Sequence, residues 1–215
     1  MKCTLCKGRK GKRWCPAQRA LICGQCCGEK RMIEIDCPES CRYLAAGRAR
    51  EIEQEHVRYL RAADVQERER YFRAIAAHER VLAHLQLLIG EARRRARDLT
   101  DGDVREALDL LLATLRTEES GLLYERTSSN LRVEGMRRRL AEALEYHRRP
   151  AEAGRDRLAL KDAIECLEVI RSFAARRAAA SPTSQEFVDF LARTAPRVGR
   201  EADPDSRIIV PGQTI

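Results

Sequence analysis

Eight of the nine cysteines fall within the first 41 of 215 residues, at positions 3, 6, 15, 23, 26, 27, 37 and 41. Eight thiolates is the number that fills two tetrahedral zinc sites. A segment this short and this poor in large apolar side chains cannot fold by hydrophobic burial alone, so bound metal must supply its folding free energy. The ninth, Cys166, lies far away in an apolar helical stripe and reads as a buried core thiol.

Two fragments share one pattern. Cys3-Thr4-Leu5-Cys6-Lys7-Gly8 and Cys23-Gly24-Gln25-Cys26-Cys27-Gly28 both read CxxCxG. Two cysteines three apart on a tight turn aim both sulfurs at one metal, and the following glycine tolerates the positive backbone angle such a turn needs. Cys3, Cys6, Cys23 and Cys26 therefore form a first site, which leaves Cys15, Cys27, Cys37 and Cys41 for a second. Adjacent residues point in different directions, so Cys26 and Cys27 serve different metals. Residues 31–36 alternate polar with apolar like a short strand, and Pro38 suits the first position of a helix, placing Cys37 and Cys41 on one face of its first turn. Cys15 lies between the two halves of the first site, so the sites interleave as a cross-braced pair.

Over residues 3–41 this spacing resembles the cross-braced zinc fingers of the RING, MYND and HIT class. The resemblance implies a module that binds other proteins and, less often, nucleic acid. Four thiolates on each of two zinc ions leave no open position for water, so the zinc is structural. A disulfide scaffold and iron–sulfur ligation compete with this reading. No apolar export signal opens the chain, which argues against the first, and no CxxCxxCxxxCP run occurs, which argues against the second.

The formal charge of +8 suggests nucleic acid, but each tetrathiolate zinc carries −2, and two filled sites lower the total to +4. Arginine outnumbers lysine 35 to 6, so arginine richness by itself says little, yet five of the six lysines lie within the first 30 residues. The loop Lys7-Gly8-Arg9-Lys10-Gly11-Lys12-Arg13-Trp14 carries five cations and the only tryptophan. Lys7, Arg9, Lys10, Lys12, Arg13 and Trp14 are accordingly candidates for gripping phosphate and stacking a base. The competing assignment is a solvated loop whose cations offset thiolate charge while Trp14 covers the metal core.

No proline interrupts residues 39–149, and apolar residues recur there at helical spacing, so the region is all-α. The pattern predicts a long helical stretch from near Pro38 toward Asp98, broken near Ala62-Ala63-Asp64, burying Phe72, Ile75, Leu82, Leu85, Ile89 and Ala92. Thr100 caps a helix carrying Val104, Leu108, Leu111, Leu112 and Leu115 to about Thr117. A loop or broken helix over 118–130 precedes Val133, Met136, Leu140 and Leu144, and 150–154 is a linker. Leu160, Ala163, Ile164, Leu167, Ile170 and Ala174 mark another face, and Thr183-Ser184-Gln185-Glu186 reads as a capping box opening a last helix through Ala195. Arginine clusters at 93–97, 137–139, 148–149 and 176–177 read as solvated faces, three of them near helix carboxyl ends.

The fold class is thus mainly α: a two-zinc module over 1–42, an antiparallel helical bundle of five or six helices over 43–195, and a loose tail over 196–215 with an apolar island at Ile208-Ile209-Val210. Wide apolar faces leave homo-oligomerisation and coiled-coil pairing open. Glu53 and His56 offer one ExxH where a di-iron bundle needs two, and glycine-rich phosphate loops, nucleophile elbows and HExxH are absent, so no catalytic residue is assigned. No run approaches the ~20 apolar residues of a membrane span, and the expected setting is cytoplasmic. The expected function is a non-catalytic, zinc-binding interaction or scaffold protein with protein partners; an RNA- or DNA-binding regulator is the alternative.

Overall fold

The computed structural model describes residues 1–32, 34–149, 157–177, 181 and 183–197. The apolar island at 208–210 and the linker at 150–154 lie outside them. Near the amino terminus, β1 (Arg13–Cys15) pairs antiparallel with β2 (Ala20–Ile22), with Trp14 opposite Leu21. Residues 1–4 and 9–12 extend this ribbon: Lys2 bridges Lys10, Thr4 N–H donates to Leu21 O, and Lys12 N–H donates to Ile22 O. Gly11 lies where the ribbon is tightest, since a Cβ there would stand 2.8 Å from Leu21 O. The short α1 (Gly24–Lys30) follows directly.

The body consists of α2 (Arg42–Ala62), α3 (Val65–Arg95), α4 (Asp101–Glu119), α5 (Leu131–Arg148), α6 (Leu160–Arg177) and α7 (Glu186–Thr194). The break at Ala63-Asp64 falls where the pattern places it, and Asp64 with Glu67 builds a capping box that starts α3. Thr100 and Asp103 form a second such box at the head of α4, whose predicted stripe is buried in full. Leu85, Ile89, Val104, Leu108, Leu140 and Ile170 are shut off from solvent at the centre of the bundle. A Cβ on Gly90 would stand 2.7 Å from Leu191 O, so α3 and α7 approach more closely there than any larger residue allows.

Four expectations about local elements are overturned. Residues 31, 32, 34 and 35 form no strand: Glu34 N–H and Ile35 N–H both donate back to Lys30 O, and Met32 stands at φ +60. Pro38 does not begin a helix, because Cys41 N–H closes a turn onto Pro38 O and α2 starts only after Cys41. Phe72 is exposed and its neighbour Tyr71 takes the core position, its ring tilted against Tyr59 and Phe173, which stack on each other. Thr183–Glu186 is not a capping box: Asp101, at the head of α4, accepts from Phe187 N–H and Val188 N–H and so caps α7 from another helix. Asp101 N–H in turn donates to Ser184 O at 2.7 Å, locking the two helix starts together.

The arginine clusters are mixed: Arg95, Arg97, Arg138, Arg139 and Arg149 are solvated as expected, whereas Arg93, Arg94, Arg137, Arg148 and Arg177 are partly or fully covered and tie elements together. Helix carboxyl ends leave carbonyls without partners, and arginines of neighbouring helices reach them. Arg94 donates to Ala192 O, Ala195 O and Pro196 O, Arg48 to Arg193 O, and Arg176 to Ala62 O. Arg137 is buried and donates bidentately to Glu134 at 2.9 and 2.8 Å while pairing with Glu125 of the 120–130 connection. Glu39 pairs with Arg48 and accepts from Arg197 N–H, while Arg197 pairs with Asp36, so the end of α7 is fastened to the exit of the cysteine-rich region.

Candidate metal centre

Cys3 and Cys6 are carried on a turn that Lys7 N–H closes onto Cys3 O at 2.9 Å. Lys7 itself adopts the positive φ of +53, so the expected role of Gly8 falls one residue earlier, and Gly28 lies inside α1 with no such duty. The second pair is set by a helix start. Cys23 is the N-cap of α1, and its sulfur accepts from Cys26 N–H at 3.4 Å, which holds Cys26 over the same point. Cys23 N–H also donates to Cys3 Sγ at 3.2 Å, joining the two pairs.

The four sulfurs of Cys3, Cys6, Cys23 and Cys26 all lie within 4.8 Å of one another, with Cys6 Sγ and Cys23 Sγ 3.9 Å apart. Sulfurs at ~2.3 Å from a tetrahedral zinc stand about 3.8 Å apart, so the spacing fits one ion. Cys3, Cys23 and Cys26 are buried and Cys6 is exposed. Burial alone would raise the Cys3 thiol, but backbone N–H groups of Cys6, Cys23 and Leu5 outweigh it and lower its pKa to about 6. The Cys26 N–H lowers Cys23 in the same way, and Cys26 is pushed up, first by the Cys23 sulfur it must share space with. Donors aimed at sulfur favour the thiolate, the form a metal takes.

Cys15 ends β1, Cys27 sits on α1, and Cys37 and Cys41 flank the turn before α2; all four are buried. With Ile22, Ile35 and Leu44 they line one cavity of about 10 Å³, room for a single water-sized body. Cys26 belongs to the converging sulfurs of the first set, while its neighbour Cys27 lines this cavity. Among the described residues only the first set draws all its sulfurs within 4.8 Å. Burial raises the Cys37 thiol, and the nearby Cys41, Cys15 and Cys27 add to the rise.

The basic loop divides. Arg9 is held above its ordinary value first by the Cys23 sulfur, a sulfur partner that cysteine spacing alone does not reveal. Arg13 lies 5.0 Å from the Tyr43 ring centroid, with Arg42 at 4.8 Å. Lys7, Lys10, Lys12 and Trp14 are exposed, Trp14 by 56%.

Elsewhere, Glu53 is exposed while His56 packs edge-on against Tyr71 and Phe173, so the ExxH fragment does not converge. His84 Nδ1 and His147 Nε2 meet at 3.0 Å between α3 and α5. Cys166 is buried as expected, and burial pushes its thiol up to about 12, away from the form that binds metal. No helix of the described residues is long and apolar enough to cross a membrane. Comparison of the chain with family models, with curated proteins and with solved structures returned no match in any of the three.

Proposed function

We propose that the protein is a non-catalytic zinc-binding interaction or scaffold protein, in which two structural zinc ions fold the amino-terminal module and the helical body presents it to protein partners. The convergence of four cysteine sulfurs from a turn and a helix start carries the reading. Four thiolates complete a tetrahedron and leave no coordination position for a reacting water. Cys15, Cys27, Cys37 and Cys41, gathered around one small cavity, are the ligands proposed for the second ion.

Partner binding by the body draws support from its surface. Leu122, Leu123, Tyr124 and Tyr146 are exposed by 65, 93, 62 and 55%, and the last three border a cleft of about 630 Å³ between α4 and α5. Large apolar side chains clustered at a cleft mark association surfaces more often than single exposed ones do.

Metal analysis with native mass spectrometry tests the proposal. Two zinc ions per chain are expected, with chelation abolishing the order of residues 1–41 and leaving the bundle folded. Reduced protein that binds no metal and keeps an ordered amino terminus would overturn it.

A further inference from the structure

We infer that one face of the amino-terminal ribbon binds single-stranded nucleic acid through Lys2, Lys10, Lys12 and Trp14. The site goes beyond the proposed protein-binding role and uses a surface separate from the body's cleft.

The placement follows from strand geometry. Along an extended segment alternate residues share a face, and from Lys10 to Cys15 the pattern is regular. Lys10, Lys12 and Trp14 are exposed, whereas Gly11 and Cys15 are buried and Arg13 is partly covered beside Tyr43. Neighbours on that face stand about 7 Å apart, so Lys10 to Trp14 spans about 14 Å. That length matches roughly four nucleotides at a stacked rise of about 3.4 Å.

Lys2 sits beside Lys10 across an antiparallel bridge. Like charges directly opposite each other destabilise a strand pair, and no acid among the described residues pairs with either lysine. The first carboxylate in the chain is Glu29. The acids of the module are engaged elsewhere: Glu29 with Gln25, Glu34 with Lys30, Asp36 with Arg197 and Glu39 with Arg48. Among the described residues, Lys2, Lys10 and Lys12 have no ion-pair partner, and Arg9 rather than a lysine faces the Cys23 sulfur. A line of unpaired cations ending in a half-exposed indole is the arrangement that follows a phosphate backbone and stacks a base. An acidic peptide would satisfy the lysines and leave the indole without a stacking partner, so nucleic acid is the occupant favoured here.

Trp14 is the sole tryptophan, and its fluorescence reports stacking directly. Titration of the full chain with short oligouridylate and oligothymidylate should quench it saturably, and polyglutamate of equal length should not. Between about 50 and 200 mM salt the affinity should fall with a log–log slope of about −2, the value for three neutralised phosphates on a single strand. By anisotropy of a labelled oligouridylate, the combined Lys2→Gln, Lys10→Gln and Lys12→Gln variant should lose about tenfold or more, and Trp14→Ala about tenfold. All these residues are exposed, and metal content is measured alongside as a check on folding. Equal response to polyglutamate, or an unchanged affinity in the lysine variant, would overturn the inference. Protein that holds zinc but ignores both oligonucleotides sinks this site and leaves the zinc reading standing; protein that binds them through these lysines without metal does the reverse.

Discussion

Asp101 accepts from Phe187 N–H at 3.1 and 3.2 Å, so the first residue of α4 caps a helix that begins 85 positions later. Val188 N–H and Ser184 Oγ donate to the same buried carboxylate. Asp101→Ala should cost about 2–3 kcal/mol, the loss of a helix cap plus a buried charged hydrogen bond, which lowers Tm by roughly 5–10 °C. Asp101→Asn keeps one acceptor and should lose less. An alanine variant that melts with the parent would refute the cap.

Under the proposed two-zinc arrangement, Cys27→Ser should bind one ion fewer and leave the set of Cys3, Cys6, Cys23 and Cys26 loaded, whereas Cys6→Ser should lose the ion of that set. Cys166→Ser should release none, its thiol being enclosed in the bundle. Native mass spectra of the three variants check the partition, and a Cys27→Ser protein that retains both ions would show the ligand assignment to be wrong.

Gly90→Ala separates local preference from packing. Alanine is about 1 kcal/mol better than glycine within a helix, yet its methyl would stand 2.7 Å from Leu191 O and 2.9 Å from Leu191 C. Backbone cannot yield as a side chain can, so overpacking of about 1–3 kcal/mol should prevail. Denaturant melts should show a lower midpoint; a higher one would mean that α3 and α7 separate freely.

Acid should weaken the bundle through Glu134. Arg137, then Arg138, hold its carboxyl well below the usual carboxylate range. A carboxylate with a lowered folded pKa contributes in full above the ordinary value of about 4.5 and progressively less as pH falls toward the folded one. Stability measured by urea should therefore drop between about pH 5 and pH 3, and Glu134→Gln should be less stable at neutrality with a shallower fall. An identical pH slope in both proteins would exclude Glu134 as the cause.

Where periodicity was long and unopposed, sequence and structure agree. The stripe from Val104 to Leu115 is buried residue for residue, and Thr100 caps it through a partner three positions away, a purely local device. The choice of Phe72 over Tyr71 failed by one residue, because two adjacent aromatics offer no internal signal of which one Tyr59 and Phe173 will accept. The start of α7 failed for a different reason: its cap comes from Asp101, and no local window contains that contact. Among the cysteines, the pairs at spacing three were legible because a turn and an N-cap each join residues i and i+3. The looser second set depends on the turn at Pro38, and the three-residue strands of the ribbon were too short to announce themselves between cysteines. The covered members of the arginine clusters were not legible, because composition does not reveal which carboxylates and carbonyls of other elements they meet, Asp189 for Arg93, Ala192 O for Arg94 and Glu118 for Arg148.

Glu39 holds Arg48 and the backbone of Arg197 at once, and this has a mechanical meaning. The same carboxylate joins the segment that enters α2 to the residues that follow α7. The entry to α2, a helix of 21 residues and hence about 32 Å long, is thereby held at two points, by its own Arg48 and by the segment beyond α7.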